Sequence, residues 1–216
     1  MADQDSLAVD FFLVVHDPFD NGQLSVSPEI LGCGLVGGKL ADLVLSRRLG
    51  IEDDRVIALD MAATDDEIDD FVLEAVRSQP NAFPVRRWID PLQDELYGLV
   101  ADRVVALGIL RREQGTRRLG RGRQPDRFPA VDLLSANGPQ QRLEQMLRTP
   151  TDLTLRAGML AALLSVLGVD RALAADLDRT TVREIISEIE SFLPTDLRAV
   201  YDGVQAVTSQ FSLRLR

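Results

Sequence analysis

The sequence predicts a mainly α protein, a multi-helix globule around a buried central helix, with one or two small hairpins. Three observations predict it. From Ile30 the apolar positions Leu31, Leu35, Leu40, Leu43, Val44 and Leu45 keep helical spacing through a glycine-rich run, residues 32–51 (GCGLVGGKLADLVLSRRLGI). Residues 153–169 are apolar on nearly all sides except Arg156, the pattern of a helix buried all round. No succession of alternating strands and helices follows that would build a parallel sheet.

Taken in order, residues 6–15 (SLAVDFFLVV) form an apolar run that fits a helix or a strand, and periodicity leaves both open. The stretch HDPFDNGQ after it is turn chemistry, with Asp-Pro and Asn-Gly as breakers. Ser27, Pro28 and Glu29 mark a helix start: an N-cap serine, a proline at the first helical position, an acid in the first turn. This helix should run to Arg47 and Arg48, where cations suit its C-terminal end, and stop at Gly50. Residues 55–59 (RVIAL) fit a short strand. Thr64, with Glu67 three later, should cap an acidic amphipathic helix that turns Ile68, Phe71, Val72, Ala75 and Val76 inward. Pro80 and Pro84 bracket a loop before the single tryptophan, Trp88, and residues 92–110 read as another helix closing near Gly108. Gly115, Gly120, Gly122, Pro125 and Pro129 make residues 111–132 a hairpin or exposed loop. Asn137-Gly138-Pro139 should start the next helix, followed by the buried run, an amphipathic helix over 180–193 and a last one over 197–207. No repeat of fixed period and no linker appears, so residues 1–216 read as one domain.

Composition narrows the function. The chain carries a net charge of −10, which argues against general nucleic-acid binding. No apolar run reaches the roughly 18 residues of a spanning helix, and the N-terminus has acids where a signal peptide needs bases. The sequence thus reads as a soluble, cytoplasmic protein, in keeping with a single cysteine, Cys33, that cannot form an internal disulfide. Charge is segregated. Residues 111–127 hold seven arginines against Glu113 and Asp126, a local +5, whereas residues 60–74 hold seven acids and no base. Lys39 is the only lysine.

Constellations that carry chemistry are scarce. Gly32, Gly34 and Gly37 spell G-x-G-x-x-G, but a dinucleotide site needs a strand running into the first glycine. Here cap signals and Pro28 put a helix start there, so the glycines are read as contacts for close helix packing. His16 is the only histidine and lacks visible partners for a zinc site or a catalytic triad; it reads as a solvent-exposed or edge residue. Cys33, between two glycines, reads as a buried inert thiol. Asp65, Asp66, Glu67, Asp69 and Asp70 lack the glycine of a calcium loop and read as a solvated face. No cofactor, metal or enzyme activity is expected. The arginine-rich segment is the strongest local signal and suits anionic lipid or an acidic partner. At about 1 kcal/mol per basic residue near an anionic bilayer, a net +5 gives at most about 5 kcal/mol, enough for weak peripheral attachment but not for stable anchoring. A solvated hairpin contacting the acidic face of another subunit fits the same residues.

Several stretches together resemble the Golgi phosphoprotein 3 family. GLVGGKLADLVLSRRLGI (34–51) is similar to the family's G-L-x-G-x-x-L-x-E-L-x-L-x-x-R-L helix, with Asp42 where a glutamate is usual. VIALDMAATDDEIDDFVLEAV and VRRWIDPL resemble the family's strand, acidic helix and Trp-Ile segment; VVALGILRRE its L-x-x-x-G-[IV]-L signature; QRLEQML and LRAGMLAALLSVLGV its two later helices, with Arg156 ahead of the buried run. The resemblance implies a mostly helical globule with a projecting β-hairpin, here residues 111–132. Characterised eukaryotic members are peripheral membrane proteins that bind phosphatidylinositol 4-phosphate and the cytoplasmic tails of glycosyltransferases, and their hairpin supports oligomerisation.

By that resemblance the headgroup pocket maps to Ser27, Val36, Arg142 and Gln145. The family's tryptophan is Ser27 here and its G-L-R-G arginine is Val36; of the basic residues at the Q-R-L segment only Arg142 remains, with Gln145 beside it. A phosphate site reduced to one arginine has lost most of its charge-assisted hydrogen bonds, although Arg142 near a helix N-terminus would still suit an anion. Tight phosphoinositide binding is therefore not expected. The hairpin residues Arg117, Arg118, Arg121, Arg123, Arg127 and Phe128 are the candidate contacts to a membrane or to another subunit. The sequence thus predicts a non-enzymatic protein of this family, cytoplasmic or peripheral at the inner face of a membrane. The alternative is a soluble self-associating scaffold that binds no lipid.

Overall fold

The computed structural model describes residues 6–19, 21–115, 126–149, 153–169 and 179–214. Their fold is mainly α. The helices are α1 (Leu7–Val15), α2 (Pro28–Leu45), α3 (Glu67–Arg77), α4 (Ile89–Ala106), α5 (Leu133–Arg148), α6 (Leu155–Val166), α7 (Arg179–Phe192) and α8 (Thr195–Arg214). Two antiparallel pairs accompany them, β1 (His16–Asp17) with β2 (Gln23–Leu24) and β3 (Leu49–Glu52) with β4 (Arg55–Ala58).

The centre is α1 with α2. All nine residues of α1 are buried, so the run that fitted a helix or a strand is a helix with no solvent face to give it a period. In α2, Leu31, Cys33, Leu35, Val36, Leu40 and Leu43 are buried, and the helix packs against α1, α4, α6 and α8. Its glycines permit this. A Cβ at Gly34 would fall inside 3.0 Å of three ring carbons of Phe11, and one at Gly38 would press on the backbone of α1 at Leu7 and Ala8. The dinucleotide pattern is a packing surface. The all-apolar run is α6, buried from Gly158 to Leu164 against α1, α2, α7 and α8.

Element boundaries differ from expectation in four places. Helix α2 stops at Leu45, and Arg47 takes a left-handed φ of 58°; Gly50, read as the helix stop, belongs to β3. Strand β3 was not anticipated. It pairs with β4 around Asp53 and Asp54, whose positive φ values of 49° and 61° suit the two-residue turn of a tight hairpin. The cap of α3 is Asp66, whose Oδ1 accepts from the backbone N–H of Ile68 at 2.8 Å; Thr64 instead donates its hydroxyl to Asp70. Helix α5 begins at Leu133, not at Pro139. Asp132 caps it by accepting from the N–H groups of Leu134 and Ser135, and Pro139, which has no N–H to donate, lies inside the helix.

The two described ends of the 111–132 segment pair antiparallel, and its connection, residues 116–125, lies outside the described residues. Glu113 and Arg127 exchange backbone hydrogen bonds of 2.8 and 2.9 Å, Arg111 donates to Pro129, and Val131 donates to Ile109. Among the described residues no helix is long and apolar enough to cross a membrane.

Candidate functional site

The foot of the hairpin is held by Phe128. Its ring is fully buried, edge-on to Phe12 at 5.2 Å and to His16 at 5.1 Å between centroids, with the Arg112 guanidinium 5.4 Å from its centre. Its backbone N–H donates to Gly22, where φ is +64° and any Cβ would overlap the backbone of Phe128. Phe128 is thus a core anchor, and not the membrane or subunit contact the sequence suggested. Charge alone drew the earlier reading, because the segment around it is basic.

His16 is buried too, contrary to the exposed or edge position expected of it. It stacks on Phe12 and donates from Nδ1 to the Phe12 carbonyl at 2.7 Å, which keeps the ring in one neutral tautomer. Burial pushes its pKa down to about 4, outweighing that hydrogen bond. A folded-state value below the unfolded one means that the unfolded chain takes up the proton first as pH falls from about 6.5. The protein should lose about 2 kcal/mol of stability between pH 7 and pH 5 through this residue alone. Urea midpoints at the two pH values measure it; a His16→Gln variant should show a flatter dependence, and an equal slope would rule the residue out.

Around the foot, Arg111 and Arg127 are exposed on the paired strands. Arg111 bonds Glu113 at 2.8 Å, and Arg112 bonds Asp102 at 2.9 Å. Arg117, Arg118, Arg121 and Arg123 lie outside the described residues.

The second candidate is the surface at Arg142. Because α5 starts earlier than expected, Arg142 lies nine residues past Leu133 and not at a helix N-terminus. It lines a 210 Å³ concavity between α1, α5 and α6, with Leu7, Asp10, Met146, Arg156 and Ala157 among its walls. Two cations meet there, but each has a carboxylate. Arg142 bonds Asp10 at 3.3 Å, and Arg156 bonds Asp42, whose other oxygen accepts from Ser6 Oγ and the Leu7 N–H at 3.0 and 2.9 Å. The other proposed pocket residues are not in this lining. Val36 is fully buried in α2, Ser27 caps α2 by accepting from Ile30, and Gln145 is exposed elsewhere on α5.

The sequence reading named Arg156 but missed its pairing with Asp42 and its place beside Arg142. The signal was present as lone charges inside apolar runs, Asp10 in α1, Asp42 in α2 and Arg156 in α6; such charges are tolerated in a core only when paired. The same holds for Lys39, which is buried and paired with Asp69, while Asp66 takes both guanidinium ends of Arg103 at 2.5 and 3.0 Å. The acidic run is therefore partly an internal ion-pair layer, not wholly a solvated face. Cys33 is buried as expected, and burial pushes its thiol pKa up to about 12. Among the described residues no cluster of three or more metal-ligating side chains occurs.

The family model of Golgi phosphoprotein 3 (GPP34) covers residues 7–206, from the first residue of α1 into α8. No curated protein matches the chain.

Proposed function

The chain belongs to the Golgi phosphoprotein 3 family, and from that premise we propose that it is a non-enzymatic protein that attaches peripherally to an anionic membrane surface through the arginine-rich hairpin. The observation that carries this reading is the rooting of that segment. Seven of the chain's arginines fall in residues 111–127, in a chain of net charge −10. The segment's two ends are hydrogen-bonded to each other and anchored by Phe128, with Arg111 and Arg127 exposed. A basic segment of this kind offsets the repulsion between an anionic surface and an acidic body within a Debye length. The Arg142 concavity supports only a minor part in headgroup binding, since Asp10 and Asp42 already neutralise its two arginines. Phosphatidylinositol 4-phosphate should add little over an equal charge of phosphatidylserine.

Flotation with phosphatidylcholine vesicles, with and without phosphatidylserine, tests the reading. Wild type should float only with the anionic lipid. A variant with Arg117, Arg118, Arg121 and Arg123 changed to Ser should lose up to about a thousandfold in partitioning, at about 1 kcal/mol per charge. Equal flotation by that variant removes the hairpin from the account. If wild type floats on no vesicle, and deleting residues 114–126 lowers its mass in light scattering, a self-associating scaffold replaces the membrane reading. The acidic excess elsewhere on the chain is the surface such a hairpin would meet.

A further inference from the structure

We infer that the first turn of α5, Leu133 and Leu134 with the preceding Val131, is an apolar wedge that enters the bilayer interface beside the basic hairpin. The inference rests on the peripheral-membrane reading and names the part of the surface that touches acyl chains. Large apolar side chains are seldom left open in a contiguous group without a use. Here Val131, Leu133 and Leu134 are 62%, 51% and 82% exposed within four residues of chain. Leu107 joins them, because Ile109 accepts the backbone N–H groups of both Val131 and Asp132 and so brings the end of α4 alongside. The Phe128 N–H also bonds the carbonyl of Gly22, three residues past the exposed Phe19.

Two features favour an anionic bilayer as the occupant over an apolar protein groove. The cluster is continuous in the chain with the cationic strands, since Arg127 precedes it by four residues and Arg111 bonds to Pro129. Apolar side chains bordered by arginines match the layering of acyl chains beneath anionic headgroups. Two backbone N–H groups of this turn are also satisfied within the chain. A helix N-terminus normally leaves bare N–H groups, which are costly away from water. In α5 the Asp132 carboxylate accepts from the N–H groups of Leu134 and Ser135 and from Ser135 Oγ, at 3.0, 3.3 and 2.6 Å.

The test separates the wedge from the charges. Attraction by arginines alone is screened by salt, whereas inserted leucines are not. Wild type should therefore keep a measurable fraction on phosphatidylcholine–phosphatidylserine vesicles in high salt. A Leu133→Ser/Leu134→Ser variant should bind at low salt but drop about tenfold or more in high salt. Both positions are exposed, so circular dichroism should show an unchanged fold. In a second arm, a Leu134→Cys variant carries a polarity-sensitive thiol probe, the native Cys33 being buried and unreactive. Its emission should shift to the blue with anionic vesicles. Salt-resistant binding by the double variant, or an unchanged emission, overturns the wedge while leaving hairpin attachment standing. Wild type bound to no vesicle overturns both.

Discussion

Replacing Gly34 by alanine is expected to destabilise the protein by about 3 kcal/mol, at the upper end of the cost of overpacking a core. The sign is the informative part. Within a helix, glycine to alanine ordinarily gains about 1 kcal/mol, because alanine loses less backbone entropy. At Gly34 the new methyl would fall within 3.0 Å of three ring carbons of Phe11, whose side chain is fully buried between α1 and its neighbours. The ring can yield only by displacing other core atoms, and interiors packed to crystal density leave little room. Gly98 in α4 supplies the control, since a Cβ there meets nothing within 4 Å. Gly98→Ala should stabilise by about 0.5–1 kcal/mol. Urea unfolding of both variants decides the matter. A Phe11→Leu change placed in the Gly34→Ala background should recover part of the loss, giving a coupling of about 1–2 kcal/mol in a double-mutant cycle. If Gly34→Ala instead behaves like Gly98→Ala, close packing does not explain the glycines of α2.

The same contact shows what the sequence made legible. The glycines of α2 are visible as a pattern, and the cap at Ser27 and Pro28 was enough to remove the nucleotide reading. The antiparallel pairing at the ends of residues 111–132 was legible from the turn residues between them. What failed was everything set by a partner distant in the chain. Asp10 and Arg142 are 132 residues apart, and Asp42 and Arg156 are 114 apart. Nothing local says which lone charge will meet which. Helix α1 had no readable period because it has no exposed face. His16 looked exposed because a polar residue next to Asp-Pro usually is; Phe12 and Phe128 closing over it are a tertiary fact. The start of α5 was misplaced because Asn-Gly-Pro resembles a breaker, while the true cap, Asp132, is an ordinary aspartate six residues before Gly138. That error also moved Arg142 to a helix end it does not occupy, and with it went the dipole argument for an anion.

Removing the Asp42 carboxylate should have the other large effect. Asp42 stands where the family pattern has a glutamate, and three elements meet on it. One oxygen accepts from Ser6 and from the first N–H of α1, and the other holds Arg156 at the start of α6. Asp42→Ala would leave that N–H without an acceptor and Arg156 without its counter-charge. Breaking a buried pair from one side costs about 3–5 kcal/mol. Arg156 keeps about a third of its side-chain surface in solvent, so the lower value, about 3 kcal/mol, is expected. Burial raises the Asp42 pKa, in spite of the nearby Arg156 and Lys39, so the protein gains little from the negative charge itself. What matters is then the acceptor geometry. Asp42→Asn, which keeps an oxygen for Leu7, should lose about half as much as Asp42→Ala, at about 1 kcal/mol per neutral hydrogen bond retained. Urea midpoints order the three proteins, and amide exchange at the start of α1 should speed up most in Asp42→Ala. Equal losses in Asp42→Asn and Asp42→Ala would show that the retained acceptor oxygen contributes nothing and that Arg156 needs the charge, so that the pairing which neutralises the Arg142 concavity also stabilises the fold by its electrostatics.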